Sequence, residues 1–292
     1  MILALISGVL WGDIAIYLKD VSVYILAFMM LVSLISISYT NLKFNKSLLK
    51  NVFLGIFLNF ILFGILLMGL VSIFYPVDSD IFKGFLLIVA APPGVVIIPF
   101  TLLYKGNINF SVITVVTSSI LVVILLPIFS LLFFGKTIDY AYMFKILFIT
   151  IAIPLLLSFF LKKTKVGDFF KGNRGKLIDW SFFIIVYIVI GLNKDVIYNK
   201  TELLVIPIII LIILLFLFGT ILEFFFRKFF GFENAISYTL ILFVKNNPFS
   251  AVVSLQLIGE LAAIPSVALS IVLLAYLIYF SIKAKKSLSL GN

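Results

Sequence analysis

Runs of about 20 consecutive apolar residues recur along the whole chain, and they restrict its fold more than any other feature. A helix of that length crosses the roughly 30 Å hydrocarbon core of a bilayer. Composition agrees, because 64% of the 292 residues are hydrophobic and only 12% are charged. The period-two alternation of an outer-membrane strand is missing. The sequence therefore predicts an all-α polytopic membrane protein.

Ten segments are predicted to cross the membrane. They lie near residues 2–18, 22–40, 51–74, 81–104, 108–134, 140–161, 177–193, 201–226, 232–257 and 261–282. The first has neither a basic start nor a small-residue cleavage site, so we interpret it as a span and not as a signal peptide.

The basic residues predict the orientation of these spans. With ten spans, fifteen of the 22 Lys and Arg residues fall on the side of the N-terminus, six fall on the other side, and Lys245 lies within a span. Cytoplasmic loops carry the excess of basic residues, so both termini are predicted to be cytoplasmic in a cell-membrane protein.

The domain organisation predicted from this layout is two five-helix repeats. Residues 1–161 hold the N-terminal repeat and 162–176 form a cytoplasmic linker. Residues 177–292 hold the remaining helices of the C-terminal repeat, which begins with the helix at 140–161. Five is an odd number, so the second repeat enters the membrane from the opposite side. Such an inverted repeat is typical of secondary transporters that work by alternating access.

The missing residue types exclude several functions. The chain has no Cys and no His, which excludes disulfides, thiol catalysis and the commonest metal ligand. We therefore expect no enzyme activity, no cofactor and no metal. The basic residues follow membrane topology and do not suggest nucleic acid. The expected partners are a small-molecule substrate and the lipid bilayer, and no particular oligomeric state is indicated.

Two of the predicted spans contain helix breakers, one in each half of the chain. The fourth span contains Pro92, Pro93 and Gly94, and the ninth contains Pro248. Proline removes a backbone donor and frees carbonyls in the preceding turn. Irregular backbone at this depth is tolerated only against protein or a water-filled cavity. Paired breaks of this kind predict a substrate site where the two broken helices cross.

The ninth span also carries polar side chains beside its break. We predict that Lys245, Asn246 and Asn247 join Pro93, Gly94 and Pro248 in binding substrate. A lysine at this depth must pair or face water, or its charge costs several kcal/mol. It could hold an anion, replace a bound cation, or carry a proton. The remaining alternative is a shifted span boundary that places it at the surface.

Other polar residues within spans are candidates for a coupling-ion site or a polar core. The fifth span contains most of them, and Asn59 and Gln256 are isolated polar points in the third and ninth spans. The candidates of the fifth span are Thr114, Thr117, Ser118 and Ser119. Such hydroxyls commonly bond back to their own helix or join neighbouring helices.

These residues resemble those of the bile acid:sodium symporter family. Pro93-Gly94 followed by the segment 103–111 is similar to that family's Pro-Gly-Gly break, Lys/Arg-Gly-Asp/Asn turn and Ser/Thr-rich helix. Asn246-Asn247 resembles the family's Gln-Asn pair. The related arsenite and auxin efflux carriers share the same plan. The resemblance implies a core domain, in which broken helices 4 and 9 cross, beside a panel domain.

The chain differs from the sodium-coupled members at several ligand positions. The resemblance places their Ser and Asn ligands near Ile97 and Ile98, and their acidic ligand at Leu242. Ser118 and Ser119 match the hydroxyl ligands of the fifth span. We therefore expect transport without sodium.

The function predicted from the sequence is secondary active transport of a small organic anion by alternating access. In this hypothesis Lys245 stands in place of the coupling cation and, with the amide ends of the half-helices, holds the anion. The alternatives are a proton-coupled or uncoupled efflux carrier of the auxin-carrier type and, in another class, a non-transporting membrane scaffold or receptor.

Overall fold

The computed structural model describes residues 2–35, 46–94, 96–134, 139–199 and 202–289, which are almost entirely helical. The main helices in chain order are α1 (Ile2–Leu10), α2 (Val21–Ile35), α3 (46–74), α4 (Asp80–Ala90), α5 (Ile97–Leu103), α6 (Ile108–Phe134), α7 (Tyr140–Leu161), α8 (Lys165–Leu192), α9 (Glu202–Phe243), α10 (Asn247–Leu257) and α11 (Glu260–Ser289).

Six helices of the described chain are long and apolar enough to cross a membrane, namely α3, α6, α7, α8, α9 and α11. A seventh candidate pairs Gly12–Leu18 with α2 across a bend of 77°. The polytopic helical class is therefore confirmed, whereas the ten-span layout is not. The difference arises because several predicted spans are built from short helical pieces, and residues 36–40 of the second one lie outside the described residues.

The first predicted span, 2–18, is not one helix. α1 ends at Leu10, a short 3₁₀ turn covers Gly12–Ile14, and a four-residue helix covers Ala15–Leu18. A Cβ at Gly12 would lie 2.8 Å from the backbone of Gly191, so the glycine lets this turn approach α8 closely.

The eighth and ninth predicted spans meet inside α9. Its 42 residues would extend about 63 Å as a straight helix, twice the bilayer core. Gly231 interrupts it with φ 77° and ψ 170°, a conformation essentially reserved for glycine. The helix therefore consists of an arm at 202–230 and a shorter piece at 232–243, which leads to the second break.

The segment 162–176, predicted to be a linker, is mostly helical. Thr164 caps α8 by accepting a hydrogen bond of 3.2 Å from the Gly167 amide, and the helix continues from Lys165 to Leu192. The prediction began the seventh span at residue 177 because the charges and glycines before it resemble a loop. The helix is thus three turns longer, and this extension brings Arg174 into the protein.

The helices pack in two groups. α8 packs along α1 and α2, and α2 also packs against α7. In the second group α11 packs against α4, α9 and α10, while α3 packs against α4 and α6. A Cβ at Gly84 would lie 2.1 Å from the Ala262 carbonyl oxygen, which shows how closely α4 approaches α11. The groups meet where α8 contacts α10 and α11.

Candidate functional site: the helix crossing and its cavity

The two predicted breaks lie against each other. α4 ends at Ala90, and the chain continues in extended form to α5; α9 ends at Phe243 and resumes as α10. The Gly94 amide donates to the Val244 carbonyl at 2.8 Å, and the Asn246 amide donates to the Pro92 carbonyl at 2.8 Å. Pro93 and Lys245 thus face each other as a short antiparallel bridge. Each break satisfies backbone groups that the other has released.

Gly94 is required at this crossing by the closeness of the two backbones. A Cβ on Gly94 would lie 3.1 Å from the Lys245 carbonyl oxygen and 3.5 Å from a Val244 side-chain carbon. The first distance is tighter than ordinary van der Waals contact, so a larger residue would push the two breaks apart.

Lys245 is almost wholly buried, with 2% of its surface exposed. Its Nζ donates to the Asn59 carbonyl at 2.9 Å, to the Asn59 side-chain Oδ1 at 3.0 Å and to the Val89 carbonyl at 3.0 Å. The rings of Phe60 and Phe63 lie 5.1 and 4.7 Å from the same nitrogen. An ammonium has three donors, so every one is taken by a protein oxygen. The charged end therefore points into the protein.

Local helix defects create the acceptors around this ammonium. In an uninterrupted helix the Val89 carbonyl would accept from the amide of residue 93, but Pro93 has no N–H. At Asn59 the helix widens into a π-helical turn over Phe57–Leu62, and the Phe63 amide donates to Leu58 instead. Both carbonyls are thus available to Lys245. The prolines predicted that carbonyls of the preceding turn would be freed, whereas the π-helical turn had no sequence signal.

The two asparagines of the second break hold the backbone in place. The Oδ1 atom of Asn246 accepts from the Phe249 amide at 3.3 Å and so caps α10, while its Nδ2 lies 3.2 Å from the Met30 sulfur. Asn247 donates to the Ser266 carbonyl at 2.8 Å and to the Ser270 hydroxyl at 2.6 Å, both on α11.

The amide end of α10 is already occupied. The Asn246 amide bonds to Pro92, the Asn247 amide to the Lys245 carbonyl, and the Ser250 amide to the Asn246 carbonyl, at 2.8, 2.8 and 3.2 Å. Pro248 has no amide to offer. An anion at this helix end would feel the helix dipole, but each amide of the first turn already has an acceptor in the protein.

A cavity of about 500 Å³ lies beside the crossing. Five parts of the chain enclose it: α2, the first break as it continues into α5, the first half of α8, the second break, and α11. The residues that line it are Met29, Ser33, Gly94, Val96, Pro99, Arg174, Gly175, Ile178, Asp179, Phe182, Lys245, Asn246, Asn247, Pro248, Ser270, Leu273, Leu274 and Leu277. Most of the wall is apolar, and its formal charges are those of Arg174, Asp179 and Lys245.

Sequence reasoning missed Arg174 and Asp179 as site residues. Both lie on α8, where Arg174, Ile178 and Phe182 follow one another at four-residue spacing and share one face of the helix. Arg174 is half-buried and Asp179 is exposed. The four-residue spacing of Arg174, Ile178 and Phe182 was a usable signal for Arg174, but assigning 162–176 to a linker concealed it.

The hydroxyl candidates of α6 do not converge on Lys245. Thr117 donates back to the Ile113 carbonyl and Ser119 to the Val115 carbonyl, both at 2.7 Å, as is common in membrane helices. The hydroxyls of Thr114 and Ser118 are buried and have no hydrogen-bond partner among the described residues. Of the polar-core candidates, Asn59 is the one that the structure brings to Lys245.

Gln256, which is not among the residues that line the cavity, bonds to the other helix group. Its Nε2 donates to the Lys19 carbonyl at 2.9 Å and to the Ser22 hydroxyl at 3.3 Å, and the Tyr142 hydroxyl donates to its Oε1 at 2.7 Å. Ser22 lies at the start of α2, whereas the cavity-lining residues of α2 lie near its other end. A polar network therefore joins the two helix groups at one end while the cavity lies toward the other.

A sequence profile of the Sodium Bile acid symporter family matches residues 23–200. The chain belongs to this family. Members of this family are transporters and not enzymes, and the protein is accordingly a multi-pass membrane protein of the symporter or carrier type. A comparison with curated proteins gives no significant match.

Three of the positions at which the resemblance places sodium ligands carry apolar residues, Ile97, Ile98 and Leu242, whereas Ser118 and Ser119 carry hydroxyls. Ile97 and Leu242, at positions where the resemblance places ligands, are both fully buried. Sodium requires oxygen ligands to replace its hydration shell, and these side chains supply none. Among the described residues, no group of three or more His, Cys, Asp or Glu is arranged to hold a metal.

Proposed function

We propose that this protein is a secondary transporter of a small organic anion that needs no sodium, because the Lys245 ammonium permanently fills a cation site. The cavity beside the crossing is the substrate site, and alternating access moves it between the two sides of the membrane. The substrate-binding surface includes Pro93 and Gly94 of the first break and the residues of the second break from Lys245 to Pro248.

The observation that carries this proposal is the environment of the Lys245 nitrogen. Three oxygen atoms lie 2.9–3.0 Å from it and two aromatic faces enclose it, which is a set of contacts that a bound monovalent cation would also find favourable. Because the ammonium uses all three donors there, this geometry favours the built-in cation over an ammonium that grips the substrate directly.

Two features support alternating access. The helices form two packing groups, which we interpret as the panel and the core of the family plan, with the 5+5 inverted repeat relating the two breaks. The Gln256 network joins these groups at one end, while the cavity lies toward the end where α8 begins. With both termini cytoplasmic in the cell membrane, this state faces the cytoplasm.

The first experiment separates sodium coupling from a built-in cation. The melting temperature of the detergent-purified protein is measured in sodium chloride and in choline chloride at equal ionic strength. We expect no saturating stabilisation by sodium. A saturating response of the unmodified protein would contradict the proposal.

Two variants of Lys245 test the cation site directly. Lys245→Ala removes the ammonium and leaves three oxygen atoms around an open volume, so sodium or n-propylammonium should raise its melting temperature. Lys245→Met fills the volume with an apolar chain and should respond to neither cation. A Lys245→Ala protein that neither cation stabilises would rule out a cation site.

The alternative carrier, proton-coupled efflux, requires Lys245 or another group to release a proton in each cycle. It predicts that an imposed pH gradient drives accumulation of a probe anion such as cholate in proteoliposomes. Uncoupled efflux predicts that the cholate concentrations inside and outside the proteoliposomes only become equal. In both cases Lys245→Met should abolish the cycle, since no charge then occupies the site.

A further inference from the structure

We propose that Ser33 and Asn246 form a neutral polar subsite in the cavity, which binds a hydroxyl or keto oxygen on the apolar body of the substrate. The proposal rests on the proposed function, because it names a second chemical group that the transported anion carries. Ser33 lies on α2, far along the chain from both breaks, and no sequence pattern indicated it as a site residue.

The uncharged polar side chains of the cavity wall differ in how fully they are bonded. Among the described lining residues they are Ser33, Asn246, Asn247 and Ser270. The Asn247 amide nitrogen donates to the Ser266 carbonyl at 2.8 Å and to the Ser270 hydroxyl at 2.6 Å. The Ser270 hydroxyl donates in turn to the Ser266 carbonyl at 3.0 Å. Asn247 and Ser270 are therefore engaged with each other and with the backbone of α11.

Ser33 is not engaged in this way. It lines the cavity, and only 2% of its surface is exposed. Its hydroxyl has no hydrogen-bond partner among the described residues, whereas the hydroxyl of Ser22 on the same helix donates to the Lys19 carbonyl at 2.6 Å. Unlike the unpaired hydroxyl of Ser130, that of Ser33 is not completely enclosed. A buried hydroxyl without a partner costs free energy, so a ligand that supplies the missing bond would bind favourably here.

Asn246 also retains donor capacity. Its Oδ1 caps α10, but one hydrogen of Nδ2 is directed at the Met30 sulfur at 3.2 Å, and the other has no acceptor among the described residues. A thioether sulfur is a weak acceptor, so an oxygen offered by a ligand would be preferred to it. Met30 and Ser33 are three residues apart on α2, and side chains at this spacing are neighbours on a helix. The Asn246 amide and the Ser33 hydroxyl therefore lie at the same part of the cavity.

These two groups favour an uncharged oxygen over a charged one. A ligand hydroxyl can accept from Asn246 and donate to Ser33, and a keto oxygen can accept from both. A carboxylate enclosed here would exchange its hydration for two neutral donors, because Lys245 directs its three donors to Asn59 and Val89. The subsite thus suits an organic anion that also carries a hydroxyl or keto group.

The subsite spans the two helix groups. Ser33 belongs to α2, which packs with α7 and α8, whereas Asn246 belongs to the second break. A ligand oxygen bonded to both would hold the groups together at a place where the Met30 sulfur now makes a weak contact. We therefore expect the oxygen to be recognised in this state of the protein and released when the groups separate here.

The test compares three monoanions with one carbon skeleton, namely cyclohexanecarboxylate, its 4-hydroxy derivative and its 4-oxo derivative. The chain has no cysteine, so Val96→Cys, at a cavity-lining position that is 39% exposed, supplies a single thiol. Methyl methanethiosulfonate, which is uncharged, modifies this thiol, and an acid bound in the cavity slows the reaction. The concentration of each acid that halves the rate is measured in the detergent-purified protein without sodium.

We expect the hydroxy and keto acids to require a concentration about fivefold lower than the unsubstituted acid, which is the effect of a neutral hydrogen bond. Ser33→Ala should remove most of this difference. Ser130→Ala is the matched control, since it also removes a buried, unpaired hydroxyl, but from α6 and outside the cavity lining, and it should preserve the difference. Because neither hydroxyl has a partner among the described residues, both variants should melt within about 2 °C of the parent.

The proposal is overturned if the oxygenated acids protect the thiol no better than the unsubstituted acid, whether all three protect it or none does. It is also overturned if their advantage survives Ser33→Ala. If Ser33→Ala instead weakens all three acids equally, the subsite holds the carboxylate and the assignment to an uncharged oxygen is wrong.

These outcomes are distinguishable from failure of the proposed function, since binding is measured without sodium and without transport. A sodium-stabilised protein that binds the hydroxy acid through Ser33 would contradict the built-in cation and leave the subsite intact. A protein that sodium does not stabilise, and in which the hydroxyl gives no advantage, would contradict the subsite alone.

Discussion

The two helix breaks occupy the same place in the fold but contribute opposite chemistry. The first, around Pro92 and Pro93, has lost two amides and offers carbonyl oxygens. The second, from Lys245 to Asn247, offers an ammonium and an amide that bind those oxygens. The crossing is stable because the acceptors released by prolines on one chain segment meet donors on the other.

The ends of the two half-helices differ as well. α5 is followed by Tyr104, whose hydroxyl lies 2.5 Å from Ser281 of α11, within its own helix group. α10 ends near Gln256, which bonds across to the other group through Tyr142 and Lys19. The second break is therefore the one connected to both groups, and it is the one whose disturbance should change the state of the transporter.

The largest effect is expected from removing the ammonium of Lys245. Lys245→Met leaves the Asn59 and Val89 oxygens buried without partners, which should lower the free energy of unfolding by about 3–5 kcal/mol. Unfolding in detergent measures it. Lys176→Met, at an exposed position of α8, is the control and should change stability by less than about 0.5 kcal/mol. Equal stability of the two variants would show that the acceptors do not depend on Lys245.

A smaller loss is expected from separating the two breaks. Gly94→Ala places a methyl group 3.1 Å from the Lys245 carbonyl and should cost about 1–3 kcal/mol. Gly172→Ala is the control, because nothing lies within 4 Å of its added Cβ and alanine favours helix; it should stabilise α8 by up to about 1 kcal/mol. If Gly94→Ala and Gly172→Ala changed the stability in the same direction, the result would argue against a tight crossing.

The two asparagines of the second break should be unequal. Asn247→Ala loses two hydrogen bonds to α11 and should cost about 2 kcal/mol, whereas Asn246→Ala loses a cap and a weak contact with sulfur and should cost about 1 kcal/mol. Thermal denaturation of the two variants under identical conditions compares them. The reverse order would mean that Asn246 carries contacts beyond its cap.

The smallest effect concerns the ends of the half-helices. Tyr142→Phe removes one hydrogen bond between the helix groups, which is worth about 1 kcal/mol. The end of the protein at which Gln256 joins the groups should therefore open about fivefold more often. The reaction rate of Ser22→Cys, a buried thiol beside Gln256, reports the opening. Tyr104→Phe removes a bond within one group and should leave that rate unchanged. Equal rates in both backgrounds would contradict a closing role for the Gln256 network.

Several parts of the fold followed from local chemistry and could be predicted. Apolar length predicted the membrane helices, and the prolines predicted both breaks, because a missing amide interrupts a helix wherever it lies. Boundaries set by packing were predicted less well. The glycines and charges before residue 177 suggested a loop, yet the same residues form the first turns of α8, where its neighbours stabilise them.

The sequence by itself determined that the protein is a helical membrane protein, that two of its helices are broken, and that a lysine accompanies the second break. These properties depend on residues close together in the chain. Only the tertiary structure decided what the charges do. Lys245 turns toward Asn59 and Val89, which are 186 and 156 residues away, and Arg174 reaches the cavity because α8 packs beside the crossing. A charge in a low-dielectric interior goes where acceptors are assembled, and that assembly involves helices from the whole chain.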